Sequence, residues 1–184
     1  KIDVITEDNL TPLIKSCNDN SIEIIKLLLY NNADINFADR NGHTSLYVAS
    51  RGGQKEVVEL LLKAEAKIDL AITDGTTPLY IASQNGHKEV VELLINSRAN
   101  VDLASTGGVT SLFIASDNCH KEIVELLIKA GAKIDAAMTD GATPLLIASQ
   151  KGYNEVVELL IKAGANVDLA MTDGVTPLLI ASQN

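Results

Sequence analysis

Tryptophan is absent from the 184 residues and aromatic residues make up only 3% of them, so the chain lacks the large side chains around which a compact globular core closes. Leu, Ile, Val and Ala must do the burying, in thin layers. Cations are also scarce. Fifteen Lys and Arg against 24 Asp and Glu leave a net charge of −9. That balance disfavours nucleic acid or an anionic membrane as the main ligand, since both repel an acidic protein, and leaves a basic partner easier to accommodate. No apolar run reaches the roughly 20 residues of a membrane span, so no direct membrane insertion is expected. Cysteine is nearly missing, with Cys17 and Cys119 the only two.

What the chain has in abundance is repetition. The stretch Thr77-Pro78-Leu79-Tyr80-Ile81-Ala82 has relatives beginning at Thr11, Thr44, Thr110, Thr143 and Thr176, each 33 residues from the last. A period of that size marks a solenoid built from one supersecondary unit per repeat. Within the unit, Thr77 reads as a helix N-cap and Pro78 as the first helical residue, where its fixed φ helps and its missing N–H is not needed. Leu79, Ile81 and Ala82 form the apolar stripe of a short helix that Gly86 ends. A second helix follows over His87-Lys88-Glu89-Val90-Val91-Glu92-Leu93-Leu94-Ile95, with apolar residues at helical spacing and Glu89 near the positive end of the dipole. Asn100-Val101-Asp102 and the small, polar run through Gly107-Gly108 lead into the next Thr. At about 10 Å per repeat, Cys17 and Cys119 fall about 30 Å apart, too far for a disulfide. A reducing, cytoplasmic setting is the expectation.

A 33-residue unit of a turn and two helices carrying Thr-Pro-Leu-x-x-Ala resembles the ankyrin repeat, and the resemblance covers the whole chain. It implies a mostly α fold, an ankyrin-repeat α-solenoid of helix-turn-helix units with β-turn or hairpin-like loops. The expected organisation is one domain over 1–184: the tail of a preceding repeat at 1–5, full repeats at 6–38, 39–71, 72–104, 105–137 and 138–170, and a partial repeat at 171–184. Departures from the family pattern are plain. The fourth motif residue, usually His, is Ile14, Tyr47, Tyr80, Phe113, Leu146 and Leu179, and Ser45 and Ser111 replace Pro. Each such replacement costs about 0.4–1 kcal/mol of preorganisation.

The repeats are unequal. The fourth has Gly107 in place of the turn Asp and Cys119 where Gly53, Gly86 and Gly152 stand; a left-handed Cys costs on the order of 1 kcal/mol relative to Gly. After the second helix, Gly131 and Gly164 are matched by Asn32, Glu65 and Arg98. Because Glu and Arg tolerate φ > 0 poorly, the second and third repeats are expected to end that helix differently. Lys1-Ile2-Asp3 matches Lys67-Ile68-Asp69 and Lys133-Ile134-Asp135 in register, which reads as a piece of a longer array. The alternative is a trimmed natural terminus, for which Lys15 supplies the polar outer face of a capping repeat.

No constellation for chemistry emerges, and neither a cofactor nor a metal is expected. His87 and His120 share one register and lie about one helix-packing distance apart, too far to share an ion, and each reads as a polar residue opening a second helix. Asp69, Asp102, Asp135 and Asp168 are also spaced one repeat apart, too distant for paired acid–base work; they read as solvated turn residues. Gly107-Gly108 has no phosphate-loop Lys-Thr after it. Glu59 with Lys63, Glu125 with Lys129 and Glu158 with Lys162 are i,i+4 pairs supporting an exposed helix face.

The resemblance implies a partner protein or peptide along the turn tips and first helices. The matching positions are Arg40, Asn41, His43 and Arg51, then Thr73, Asp74, Thr76, Gln84 and Asn85. The next two repeats contribute Thr106, Val109, Asp117 and Asn118, then Thr139, Asp140, Ala142, Gln150 and Lys151. The expected function is a non-enzymatic protein-interaction scaffold, monomeric, with end-to-end stacking open to it. The alternatives are a regulatory or targeting module of a larger enzyme, channel or effector, and a plain spacer. Asp74, Asp140 and Asp173 at successive tips, with the row at Asp69, Asp102, Asp135 and Asp168 beside them, are expected to give an acidic edge. Leu28, Asp34, Ile35 and Asn36 resemble the pattern read by the asparaginyl hydroxylase of ankyrin repeats, with Asn36 as acceptor; a turn Asn closing a backbone hydrogen bond is the simpler reading.

Overall fold

In the computed structural model, residues 3, 10–172 and 174–177 are described. Leu179 and Asp173, on which two of the expectations above rest, and most of 1–5 and 171–184 lie outside them. Among the described residues the chain forms ten helices in alternating lengths. The first helices of the repeats are seven residues long: α1 (Pro12–Asn18), α3 (Ser45–Arg51), α5 (Pro78–Gln84), α7 (Ser111–Asp117) and α9 (Pro144–Gln150). The second helices are nine: α2 (Ile22–Tyr30), α4 (Lys55–Lys63), α6 (Lys88–Asn96), α8 (Lys121–Lys129) and α10 (Asn154–Lys162).

Each first helix starts at its Thr for a physical reason. The hydroxyls of Thr11, Thr44, Thr77, Thr110 and Thr143 accept the N–H three residues on, at 3.1–3.3 Å, which satisfies a donor the helix itself leaves open. Ser45 and Ser111 do not disturb this, since α3 and α7 begin at the same register as the helices that keep Pro. The apolar residues then point inward. Leu46, Leu79, Leu112 and Leu145 are no more than 2% exposed, each burial worth about 2 kcal/mol in transfer terms. The second helices bury a narrower stripe: Val57, Val58 and Leu61 in α4, Val90, Val91 and Leu94 in α6, Ile123, Val124 and Leu127 in α8.

The chain divides into two compact units, Lys1–Ala99 and Asn100–Asn184. In the first, α1 packs on α2 and α3, α3 on α4 and α5, α5 on α6, and the second helices stack as α2, α4, α6. In the second, α7 packs on α8 and α9, α9 on α10, and α8 on α10. Neighbouring turns are joined through the backbone, Thr73 N–H to Asn41 O at 3.2 Å in the first unit, Thr139 N–H to Gly107 O and Thr172 N–H to Asp140 O at 2.9 Å in the second. This approach is too close for a side chain: a Cβ on Gly141 would sit 2.9 Å from Met171 Cα.

Two expectations are corrected. Glu65 and Arg98 do not end their helices differently; they take φ of 64° and 69°, in the same left-handed region as Gly131 and Gly164. The next N–H, of Ala66 and of Ala99, reaches back to Leu61 O and Leu94 O at 3.0 Å, and this helix-ending geometry overrides residue preference. Two members of the carboxylate row, Asp102 and Asp135, are not merely solvated turn residues. Asp102 Oδ1 accepts from Lys133 N–H at 2.8 Å and Asp135 Oδ1 from Asn166 N–H at 3.0 Å, so each of these two side chains ties its repeat to the one that follows in the second unit.

Cys119 takes φ 59°, where Gly53, Gly86 and Gly152 hold 66°, 77° and 70°. Cys119→Gly should therefore raise stability by about 0.5–1 kcal/mol, the left-handed penalty less the entropy cost of Gly. Urea denaturation checks it; an unchanged or lowered midpoint would count against the strain.

Candidate functional site

The turn tips are built by short side chains folding back on their own backbone. In the first unit Asp74 Oδ1 accepts the Thr76 N–H at 2.8 Å, a turn closure that Asp supplies readily. The Thr76 hydroxyl and then its N–H hold the Asp74 carboxyl below the usual range, against a small opposing effect of burial. The preceding turn uses another residue for the same task. Asp39 Oδ1 accepts from the N–H of Asn41 and of His43, both at 2.9 Å, and its Oδ2 accepts from His43 Nδ1 at 2.8 Å. The His43 ring then lies 5.1 Å from that of Tyr47. Burial pushes the Asp39 carboxyl up, but the bonds from His43 and Asn41 outweigh it and its pKa is lowered. Asp39 did not figure among the candidate residues, although an Asp two residues before an Asn-Gly tip was a legible turn signal.

Several candidates turn out to hold the unit together. Asn85 Nδ2 and His87 Nε2 both donate to Arg51 O, at 2.9 Å, so His87 does more than open α6. Arg51 Nη2 stands 3.5 Å from Asn18 Oδ1. Thr76 is 6% exposed and offers a partner almost no surface. The residues left outward are Arg40, Asn41, Thr73 and Asp74, with Arg51 and Asn85 also exposed and Gln84 half-buried.

The second unit has a similar division of labour. Lys151 Nζ lies 2.6 Å from Asp117 Oδ1 and donates to Asp117 O at 2.8 Å, and Asn118 Nδ2 donates to Ile114 O at 2.9 Å. Asp140 Oδ1 accepts from Ala142 N–H at 3.0 Å. Ala142 is 6% exposed and forms a core cluster with Phe113 and Leu146, against which Val109, Met138, Ile147 and Met171 pack. Ala142 is thus core, and Val109 serves packing first. Thr106, Thr139, Asp140 and Gln150 remain exposed.

Asn36 keeps its place in the inter-repeat row. Its Oδ1 accepts from Lys67 N–H at 2.8 Å, as Asp3 Oδ1 accepts from Asp34 N–H at 3.0 Å. Among the described residues no group of three or more His, Cys, Asp or Glu could hold a metal ion, and no helix is long and apolar enough to cross a membrane.

Stacked pairs of short and longer helices, Thr-capped and joined through their turns, define the all-α ankyrin-repeat solenoid class. Family models agree: one described as ankyrin repeats (3 copies) matches residues 1–74 and 67–138, and one described as ankyrin repeat matches residues 140–171. The chain belongs to the ankyrin repeat family, whose domains are generally protein–protein interaction modules and typically not enzymes. Among solved structures it is similar to the ankyrin repeat domain of Bcl-3, a member of the IkappaB protein family, with a TM-score of 0.92 and 27% identity over 98% of this chain and 82% of that one. No curated protein matches the sequence.

The Asp39 bonds make stability depend on acid. A carboxyl whose pKa is depressed on folding stabilises above its unfolded value, about 4, and loses that contribution as pH falls through the folded value. Asp39→Asn keeps the shape and the acceptor for Asn41 and His43 but not the charge. The variant should be less stable than the parent by about 1 kcal/mol at pH 7, with the gap closing below pH ~4. Urea unfolding of both proteins at neutral and acid pH measures it; a gap that does not change with pH would show that the charge at Asp39 does not matter.

Proposed function

We propose that the chain is a non-enzymatic protein-binding module that receives a partner protein or extended peptide on its turn tips and first helices. The observation that supports this is the position just before each tip. Arg40 and Thr73 in the first unit, and Thr106 and Thr139 in the second, are all exposed. Beneath Thr73 and Thr139 the backbone N–H is bonded to the preceding turn. Side chains held outward on a backbone already fixed lose little entropy on binding. Exposed Asp74 and Asp140, at one register in their turns, favour a basic or dipolar partner whose association weakens as salt screens charge over about 8–10 Å. Free Cys17 and exposed, free Cys119 are consistent with a reducing compartment.

A photoreactive side chain placed at Thr73 or Thr139 should cross-link a partner in cell extract, while the same group at Glu92, exposed on α6, should not. Adducts formed at Glu92 alone would move the site to the other face. A second reading concerns Asn36, a half-buried side chain with half-buried Leu28 eight residues upstream; we propose it as an acceptor for asparaginyl hydroxylation. Since its Oδ1 holds Lys67 N–H, that turn must open first. Mass spectrometry after exposure to such an enzyme should show one added oxygen on Asn36, and none would remove the idea.

A further inference from the structure

The second repeat carries titratable groups at two places where most of the others carry apolar ones. The residue before the Thr cap is Leu10, Thr76, Val109, Ala142 or Val175 elsewhere, and His43 here. The fourth motif residue is Ile14, Phe113, Leu146 or Leu179 elsewhere, and tyrosine only at Tyr47 and Tyr80. His43 Nδ1 donates to Asp39 Oδ2 at 2.8 Å, which fixes the tautomer and leaves Nε2 of the neutral ring as an acceptor. Among the described residues nothing donates to that nitrogen.

The His43 ring lies against Tyr47, tilted by 30°. Tyr47 is 4% exposed, yet its hydroxyl hydrogen-bonds to no other described residue, and a polar group that deep without a protein partner is uncommon. Burial above all raises the pKa of this hydroxyl; Arg51 works against the rise, and Asp74 and Tyr80 add to it. Asp74, at the tip of the next turn, is thus within the field of Tyr47, and His43 acts on Asp74 in the same way. Asp74 accepts from Thr76, but a carboxylate has about four acceptor positions. The group is reachable from solvent, since the His43 side chain is 22% exposed and Asp74 is exposed.

We propose that this corner seats one lysine side chain of the partner, its ammonium donating to His43 Nε2, the Tyr47 hydroxyl and the Asp74 carboxylate. The proposal rests on the turn-tip reading above and names the chemistry that reading leaves open. An ammonium has three donors and no acceptor, which suits an imidazole nitrogen, a phenol oxygen and a carboxylate held on a turn, on α3 and on the next turn. A guanidinium presents its donors in a rigid planar fork made for one carboxylate and suits them less. Arg51, the cation already near Tyr47, directs Nη2 toward Asn18 Oδ1 of the preceding repeat, at 3.5 Å.

The probe is Nα-acetyl-lysine amide, titrated at constant ionic strength into protein labelled in its His and Tyr rings and followed by NMR. The His43 and Tyr47 ring signals should shift and saturate at millimolar probe, and Nα-acetyl-norleucine amide, which lacks the ammonium, should move neither. Read at His43, Tyr47→Phe should weaken binding about tenfold with an unchanged circular dichroism spectrum, because Phe113 already fills that register. Asp74→Asn, which keeps an acceptor for the Thr76 N–H, should weaken it about tenfold or more. Silent rings, an equal response to the norleucine or the arginine amide, or a Tyr47→Phe variant that binds as the parent does would overturn the site. A partner cross-linked at Thr73 while the rings stay silent leaves the binding-module reading standing and removes this one; saturating ring shifts without a cross-linked partner do the reverse.

Discussion

Everything in this molecule depends on the joint between one repeat and the next, because no helix pair of sixteen residues can bury its own apolar stripe. The joint has three parts that act together. Leu, Val and Ile of adjacent helices share a thin core, the backbones of adjacent turns exchange a hydrogen bond, and one side-chain oxygen at the repeat boundary accepts an N–H thirty-one residues on. The third part fixes the register of the first. A side-chain oxygen that has found its N–H cannot slide by one residue without losing it, and the aliphatic layer alone would tolerate such slips.

This division explains why the chain can do without aromatic bulk. A layer only one side chain thick is filled by Leu, Ile, Val and Ala; the few buried aromatics, Tyr47, Tyr80 and Phe113 at 4%, 9% and 6% exposure, stand one to a first helix. It also explains why polar residues that look available are not. Asn85, Asp117 and Lys151 spend their hydrogen-bonding capacity on neighbouring repeats, and a partner would have to displace those bonds to use them. Fewer polar side chains stay outward than the register suggests: Arg40, Thr73 and Asp74 in the first unit, Thr106, Thr139 and Asp140 in the second.

Local conformation yields to the joint where the two conflict. Glu65, Arg98 and Cys119 all adopt positive φ, although none has the freedom of Gly, because a helix that ended otherwise would misdirect the turn that follows it. The cost, about 1 kcal/mol at each such place, is carried by the contacts on either side.

The amino-acid sequence by itself determined the period, the fold class and the start of every first helix, since a Thr cap with Pro or Ser after it is a local device that needs no distant partner. Exposed tip residues such as Thr73 and Asp140 were legible for the same reason. What only the tertiary structure decided was the use of side chains that reach across a joint. Along the chain Asp102 and Asp135 look like solvated turn residues and Asn36 like a turn Asn closing a backbone hydrogen bond; all three become inter-repeat staples only when the next repeat brings an N–H within 3 Å. Thr76 and Ala142 look like tip residues and prove buried, Ala142 in a cluster with Phe113 and Leu146 against which Met171 of the next turn packs.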